Sequence, residues 1–519
     1  MTDSKHPGST GELRGVLGWI ERTGNALPDP VLIFVWLILL LVVISTVSSI
    51  IGLSAEHPVT REIVVAKNLL GAEQIRHFLV DMAGTLTGFR PLGLVLVVML
   101  GAGVAERAGL FGAAMRAGLR NAPKFLLTPT VAFVAMMGNL AADAAYVVLI
   151  PLAGVIYAGA GRHPIAGIAA AFAGVSGGFS ANLLPGQLDA LLFGITEEGA
   201  KILDSAWTAN IAGNWWFIAA MVIIFLPVIW IVTDAFIEPR LGKWRAGAGI
   251  ETEAEHEGDL SAGEKKGLRY AGYVLLGITL LWAALGFAPG APLRDATAEP
   301  AYQLRPFYES LVAYFFFMFL GASVAFGICA KTVHSHRDVV KMMSGAMSDM
   351  SYYIVLAFVA AHFVAFFNWS NLGFIMAVHG AQGLAATGLP GPALLVMIIF
   401  LGAAVNLFVG SASAKWALLA PILVPMLMLL NISPEMATAA YRVGDSATNI
   451  VTPLMVYFPL VLTFCQRWRE DFGLGSLMAI MIPYGLWFLI MGALMTFGWA
   501  FWDLPLGPGA SIEYSLPKQ

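Results

Sequence analysis

Residues 142–184 read ADAAYVVLIPLAGVIYAGAGRHPIAGIAAAFAGVSGGFSANLL, and residues 412–454 read ASAKWALLAPILVPMLMLLNISPEMATAAYRVGDSATNIVTPL. Sliding one onto the other by 270 positions aligns them without a gap. Pro151 then falls on Pro421, Pro164 on Pro434, Gly174 on Gly444 and Ser176 on Ser446, with Tyr146 on Trp416 and Leu149 on Leu419. About ten of the 43 positions are identical, four of them alanine. The matched prolines and glycines carry the comparison, because they are the residues that interrupt helices. Two duplicated, interrupted hydrophobic segments in corresponding halves point to the binding site of a secondary transporter.

Working outward, the whole chain is built for lipid. Of its 519 residues 58% are hydrophobic and only 12% charged, with a mean hydropathy of +0.77. Soluble domains hold roughly 45–50% apolar and 25% charged residues, so the composition implies a polytopic membrane protein. Apolar runs of about 20 residues suit α-helical spans, and the period-two alternation of a membrane β-barrel is missing. The net charge of −4 gives no basis for a nucleic-acid partner. The first 30 residues are polar and proline-punctuated, without a signal-peptide pattern. The two cysteines, Cys329 and Cys465, have no metal-ligand neighbours and read as small packing residues.

Nine spans are expected, near 31–53, 89–105, 165–190, 214–234, 270–288, 307–328, 351–367, 434–464 and 476–500. Two more apolar stretches, 124–158 and 395–430, are broken by polar tips at Gly138-Asn139 through Asp143 and at Gly410-Ser411-Ala412-Ser413. They read as re-entrant hairpins, whose non-helical backbone must be buried in protein or line a watery cavity. The fold class is therefore an all-α polytopic membrane protein, nine helices plus two re-entrant hairpins, in an inverted-repeat transporter arrangement.

Charge sets the expected orientation. With a cytoplasmic N-terminal segment 1–30 (Lys5, Arg14, Arg22), the inner loops carry Arg107, Arg116, Arg120 and Lys124, then Arg240 through Arg269, then Lys331, Arg337 and Lys341, then Arg467 and Arg469. That is the positive-inside asymmetry. The first half is expected over 31–234, a solvated cytoplasmic linker with an acidic run over 235–269, the second half over 270–501, and an external tail over 502–519. Five spans between the hairpins, an odd number, would open one hairpin from each side, the symmetry used for alternating access.

The chemistry follows the hairpins. Gly174-Val-Ser-Gly-Gly-Phe-Ser-Ala-Asn182, then Pro185-Gly186 and Asp189, interrupts the first post-hairpin span. Arg442-Val-Gly-Asp-Ser-Ala-Thr-Asn449, then Thr452-Pro453, interrupts the second. Broken helices offer carbonyl ends to a cation and amide ends to an anion. Asn182 and Asn449 are the candidates for two symmetry-related ion sites, with Asp445 adding the formal charge in the second. Arg442 and Asp445 lie three apart, on one helix face, where they could touch. Charges at mid-membrane cost about 2.5–3.5 kcal/mol each on insertion scales, so this pair carries the most weight. Arg442 would grip a substrate carboxylate as a bidentate fork while Asp445 holds a cation or proton; the alternative is plain mutual neutralisation. Asp189 reads either as a coupling group or as a solvated span end. Trp416 reads as a stacking platform or as packing, and Lys415 as a cavity lining or a snorkelling chain. Ser413, at the second tip, is placed with the substrate-facing residues, and Asp143, at the first tip, reads equally as a helix cap.

Four stretches carry a resemblance: Gly410-Ser-Ala-Ser-Ala-Lys-Trp416, Tyr441-Arg-Val-Gly-Asp-Ser-Ala-Thr-Asn-Ile450, Ala173-Gly-Val-Ser-Gly-Gly-Phe-Ser-Ala-Asn182 and Phe236-Ile-Glu-Pro-Arg-Leu-Gly242. They resemble the p-aminobenzoyl-glutamate transporter (AbgT) family, nearly end to end from Leu27-Pro-Asp-Pro30 to Leu504-Pro-Leu-Gly-Pro-Gly509. The resemblance implies a bowl-shaped homodimer of the bacterial inner membrane, with nine spans and two hairpins and its C-terminus periplasmic. It implies p-aminobenzoyl-glutamate and related folate breakdown products as cargo, or export of sulfonamide antimetabolites. Residues implied in substrate or ion handling are Asp189, Asn406, Trp416, Pro434, Arg442 and Asp445. No cofactor is expected beyond Na⁺ or H⁺ as coupling ion. An ion channel and a membrane-embedded enzyme are the alternatives; no serine with a nearby base and no metal-spaced His/Asp cluster favours the enzyme.

Overall fold

The computed structural model describes residues 29–56, 61–120, 124–141, 145–242, 244, 260–297, 303–452, 455 and 457–515. Seven helices among them are long and apolar enough to cross a membrane. They are Val31–Ile50, Ala72–Arg107, Trp215–Leu241, Ala262–Phe287, Leu311–Ala330, Ser351–Trp369 and Leu474–Phe501. Their ends follow local chemistry. Asp29 caps the first through Val31 N–H (2.8 Å), with Pro30 in the first turn. Ser261 and Glu264 form a reciprocal capping box before 262–287. Lys331, left-handed at φ 62°, ends 311–330.

These seven account for seven of the nine expected spans. The other two are broken. The first runs as Pro164–Phe172, a π-helical turn Ala173–Gly177, an irregular segment 178–186, and Gln187–Ala200. The second runs as Pro434–Thr448, then irregular backbone, then Phe458–Gln466.

Both stretches expected as hairpins form two-armed helical units. The first goes down as Leu127–Met137 and returns as Ala145–Leu149 and Ile150–Gly159; the second is Gly391–Asn406 and Ala412–Met428. Each is followed by a helix that starts on a proline behind a side-chain cap. His163 Nδ1 accepts from Ile165 N–H (3.3 Å) before Pro164, and Ser433 Oγ from Met436 N–H (3.2 Å) before Pro434. The matched glycines explain the duplication physically. A Cβ on Gly174 would lie 2.4 Å from Ala135 Cβ, and one on Gly444 only 2.2 Å from the Ile399 carbonyl oxygen. In each half glycine lets the post-hairpin helix press against the hairpin's first arm, the small-residue contact of membrane bundles.

Among the described residues four helices of ten or more residues fall outside the expected set: Ala72–Thr87, Leu110–Arg120, His336–Asp349 and Leu372–Ala386. Charges such as Glu73, Arg76 and Asp81 dilute the hydropathy of 72–87, which runs on into 90–107. Helix 372–386 meets 391–406 at 119° across Gly388-Leu389-Pro390. At about 1.5 Å per residue it is too short to cross a hydrocarbon core of about 30 Å alone, and it adds an apolar element that the count of five does not contain.

The tail is no loose appendage. Leu506 is buried, and its carbonyl accepts from Trp216 and Phe217 N–H (3.0 and 3.1 Å), while Ser433 N–H donates to Ile512 O (2.7 Å). On another face Arg162 joins the first hairpin to the end of 215–241, bonding Asp234 Oδ1 (2.5 Å), Thr128 Oγ1 (2.8 Å) and the Glu238 carboxylate (3.0 Å). Most of the linker's acidic run, and Lys243 and Arg245, lie outside the described residues.

Candidate substrate and cation site

Helix 434–448 is buried along almost its whole length and supplies the centre of the site. The expected interruption at 442–449 lies further on. The helix continues through Gly444 to Thr448, whose hydroxyl bonds back to Gly444 O (3.0 Å). Gly444 serves there as a contact point rather than a breaker.

The expected contact between Arg442 and Asp445 is replaced by two longer-range pairs. Arg442 donates through one terminal nitrogen to Asp189 Oδ1 (2.6 Å). Lys415 pairs with Asp445 Oδ1 and also donates to Asn406 Oδ1. The four charged residues are 1–4% exposed. At that depth each ion loses several kcal/mol of hydration, so the closest counter-charge in space outweighs a neighbour three residues along the helix. The two pairs are separately neutral. Asp189 is thus no solvated span end: its second oxygen accepts from Gly186 N–H (2.7 Å), which seats it in the first turn of 187–200. Arg442 keeps Nε buried without a partner, so its fork is partly unused.

Asn406, at the end of the first arm of the second hairpin, ties the cation side together. Its Nδ2 donates to Asp445 O (2.7 Å), Thr448 Oγ1 (2.8 Å) and Asn449 Oδ1 (2.9 Å). Asn449 therefore joins this cluster. Asn182 does not: it lies on the 178–186 segment, donating its N–H to Ile218 O (3.2 Å), with its buried Oδ1 unpartnered. The 270-residue offset also places Asn182 on Thr452 and Asn449 on Phe179, so the two asparagines are not symmetry equivalents. The first break does touch helix 434–448, since Ser180 N–H donates to Ser446 Oγ (3.2 Å).

Trp416 is fully buried and stacks on Tyr441 (centroids 4.4 Å apart, planes at 20°). Its Nε1 donates to Thr196 Oγ1 (2.9 Å), which also meets Thr438 Oγ1 (2.8 Å). In this conformation the indole packs helices 187–200, 412–428 and 434–448 together, with one face taken by Tyr441. Ser413 lies in the first turn of 412–428, half-buried, with its hydroxyl 3.2 Å from Ser411 Oγ. Pro434 opens its helix eight residues before Arg442, about 12 Å along the axis. Asp143 and Pro453 lie outside the described residues.

Sequence reasoning left Lys415 undecided and did not single out Tyr441, Thr196 or Thr438. The signal for Lys415 was there: it is the one charged residue between Gly391 and Met428, and an intramembrane ammonium needs a counter-charge. A further buried acid, Glu197, is paired with Arg90 and, at 2.7 Å, with Lys201.

Comparison with known proteins identifies the family. Residues 15–514 match the model of the AbgT transporter family. The chain is 37% identical over 495 residues to the p-aminobenzoyl-glutamate transport protein of Escherichia coli (strain K12), covering 95% of this chain and 96% of that one. It superposes on the crystal structure of the Alcanivorax borkumensis YdaH transporter with a TM-score of 0.86 and 42% identity, covering 93% of this chain and 100% of the other. On Neisseria gonorrhoeae MtrF, described with a class of antimetabolite efflux pumps, the TM-score is 0.89 and the identity 40%, over 95% and 99% of the two chains. This chain belongs to the AbgT family of membrane transporters.

Proposed function

We propose that the protein is a cation-coupled secondary transporter of the bacterial inner membrane, carrying p-aminobenzoyl-glutamate-like folate catabolites or expelling sulfonamide antimetabolites. The observation that carries this reading is the pair of separately neutral, buried ion pairs around helix 434–448. An incoming carboxylate competes with Asp189 for Arg442, whose unpartnered Nε leaves a donor for a second oxygen. An incoming cation is received by Asp445 and Asn406. Na⁺, a hard ion that favours carboxylate and amide oxygens, suits that set. Ser413 and Pro434 flank the path, and an aromatic ring reaches Trp416 once Tyr441 moves off it. Asn182, with its unpartnered oxygen, serves a second ion position in the first half.

The hairpins open to opposite sides, with the N-terminus cytoplasmic and the C-terminus periplasmic. The protein works as a homodimer, to which exposed apolar faces such as that of 262–287 contribute alongside lipid. The test is transport in proteoliposomes, with Na⁺ and pH gradients imposed separately. Accumulation of labelled p-aminobenzoyl-glutamate or a sulfonamide under the Na⁺ gradient is expected; equal fluxes with and without either gradient would sink the coupled mechanism.

A further inference from the structure

Lys415 enters the proposed function only as the partner of Asp445, yet it occupies the middle of the cation side. The residue is 1% exposed, and its ammonium is held by Asp445 Oδ1 and Asn406 Oδ1 together. The Asn406 amide could not face it otherwise. Its nitrogen has three acceptors within reach for its two hydrogens, Asp445 O, Thr448 Oγ1 and Asn449 Oδ1, so its oxygen is left pointing at the ammonium. The cluster is thus built as an oxygen cradle for one positive charge, and a side chain already fills it.

The arrangement is peculiar to the second half. Through the 270-residue offset Lys415, Asp445 and Asn406 fall on Ala145, Val175 and Met136, none of which carries a charge or a side-chain oxygen. The scaffold is duplicated, and the charge set is present in one copy only. Lys415 also stands where it can leave: it lies in the first turn of 412–428, just after the irregular hairpin tip 407–411, on a flexible four-carbon stem.

We propose that Lys415 is a tethered competitor of the transported cation: its ammonium occupies the Asp445–Asn406 cradle when no Na⁺ is bound, and Na⁺ enters by displacing it. Each carries one positive charge, so the exchange leaves the Asp445 carboxylate compensated in either state, which a buried carboxylate requires, while the displaced ammonium swings on its stem past the hairpin tip 407–411 to water. This rests on reading Asn406 and Asp445 as ligands of the coupling cation. It adds that the lysine sets how weakly the site holds that cation, and so how readily the cation is released after translocation.

The test uses the full-length protein and Na⁺ replaced by choline at constant ionic strength. Thermal stability and transport are read for wild type, Lys415→Met and Lys415→Met/Asp445→Asn. Lys415→Met is expected to melt lower in choline, to recover in NaCl, and to need at least tenfold less Na⁺ than wild type for half-maximal stabilisation and half-maximal transport. The uncharged double variant is expected to be as stable in choline as in NaCl and to show no Na⁺-driven transport. If Lys415→Met cannot be recovered in choline but can in NaCl, the proposal holds. If it is lost equally in both salts while the double variant is recovered, Lys415 is only a structural partner of Asp445 and the proposal is wrong. Wild-type transport driven by Na⁺, with an unchanged or higher half-saturating Na⁺ in Lys415→Met, overturns the competitor role but leaves the cation site standing. Absence of any Na⁺ response in both wild type and Lys415→Met removes the cation site and the competitor with it.

Discussion

Arg442 offers the sharpest check on how the buried charges are partnered. Arg442→Met leaves the Asp189 carboxylate 4% exposed and without its counter-ion. Breaking a buried pair from one side costs about 3–5 kcal/mol. The bond from Gly186 N–H to Asp189 (2.7 Å) persists and keeps the loss near the lower end of that range. Asp189→Asn retains a carbonyl that can still accept from the guanidinium, so about 2–3 kcal/mol is expected, the desolvation of a charge left with a neutral partner. The double variant Asp189→Asn/Arg442→Met carries neither charge and is expected to lose only about 1–2 kcal/mol. The cycle therefore predicts strong, favourable coupling between residues 253 positions apart. A parallel cycle on Arg442 and Asp445 is expected to couple by less than about 1 kcal/mol, since each has another partner. Thermal melts at a fixed scan rate read both cycles. Stronger coupling for Arg442–Asp445 than for Arg442–Asp189 would refute the pairing. Arg442→Lys separates structure from transport: it keeps the charge opposite Asp189 and most of the stability, but loses the planar fork and with it most carboxylate transport.

Three further outcomes follow from single contacts. Gly444→Ala drives a Cβ to 2.2 Å from the Ile399 carbonyl oxygen, and backbone cannot give way, so a loss of about 1–3 kcal/mol or more is expected in a melt; an unchanged melting temperature would show that the two helices are not in contact there. Trp416→Phe keeps a ring against Tyr441 but gives up the bond to Thr196, worth about 1 kcal/mol; a transport loss far beyond that stability change would mark the indole as a cargo contact. His163, at the cap of the helix that starts at Pro164, has its pKa lowered below the ordinary 6.5, first by burial, with Glu238 opposing and Arg469 adding to the shift. The folded state therefore binds the proton less readily than the unfolded chain, so this contribution to stability is full above pH 6.5 and is lost as pH falls from there through the folded value. His163→Asn keeps an accepting cap without the titration, and its melting temperature should fall less than wild type's on going to acid; identical acid profiles would count against the assignment.

Much of this protein is local in origin and so legible in its sequence. A hydrophobic fraction of 58% places the chain in lipid, because hydration of so much apolar surface is unfavourable wherever it is exposed to water. Proline and glycine act on their own backbone, so Pro164, Pro434, Gly174 and Gly444 marked the duplicated hairpin-and-helix units that the structure contains. The same local reasoning misjudged Gly444, which reads as a break but lies inside a continuous helix, because what a glycine is for depends on the helix pressed against it. It also left helix 72–87 unplaced, since a few charges hide a helix that runs on into 90–107. The partners of the buried charges belonged to the tertiary structure alone. Helical spacing made Arg442 and Asp445 neighbours, but in a medium of low dielectric the pairing goes to whichever opposite charge is brought within hydrogen-bond reach. Folding brings Asp189 to Arg442 across 253 residues and Lys415 to Asp445 across a hairpin turn. No periodicity in the chain encodes those distances; the first exists only once the two halves are packed against each other, the second only once helix 412–428 is folded against helix 434–448.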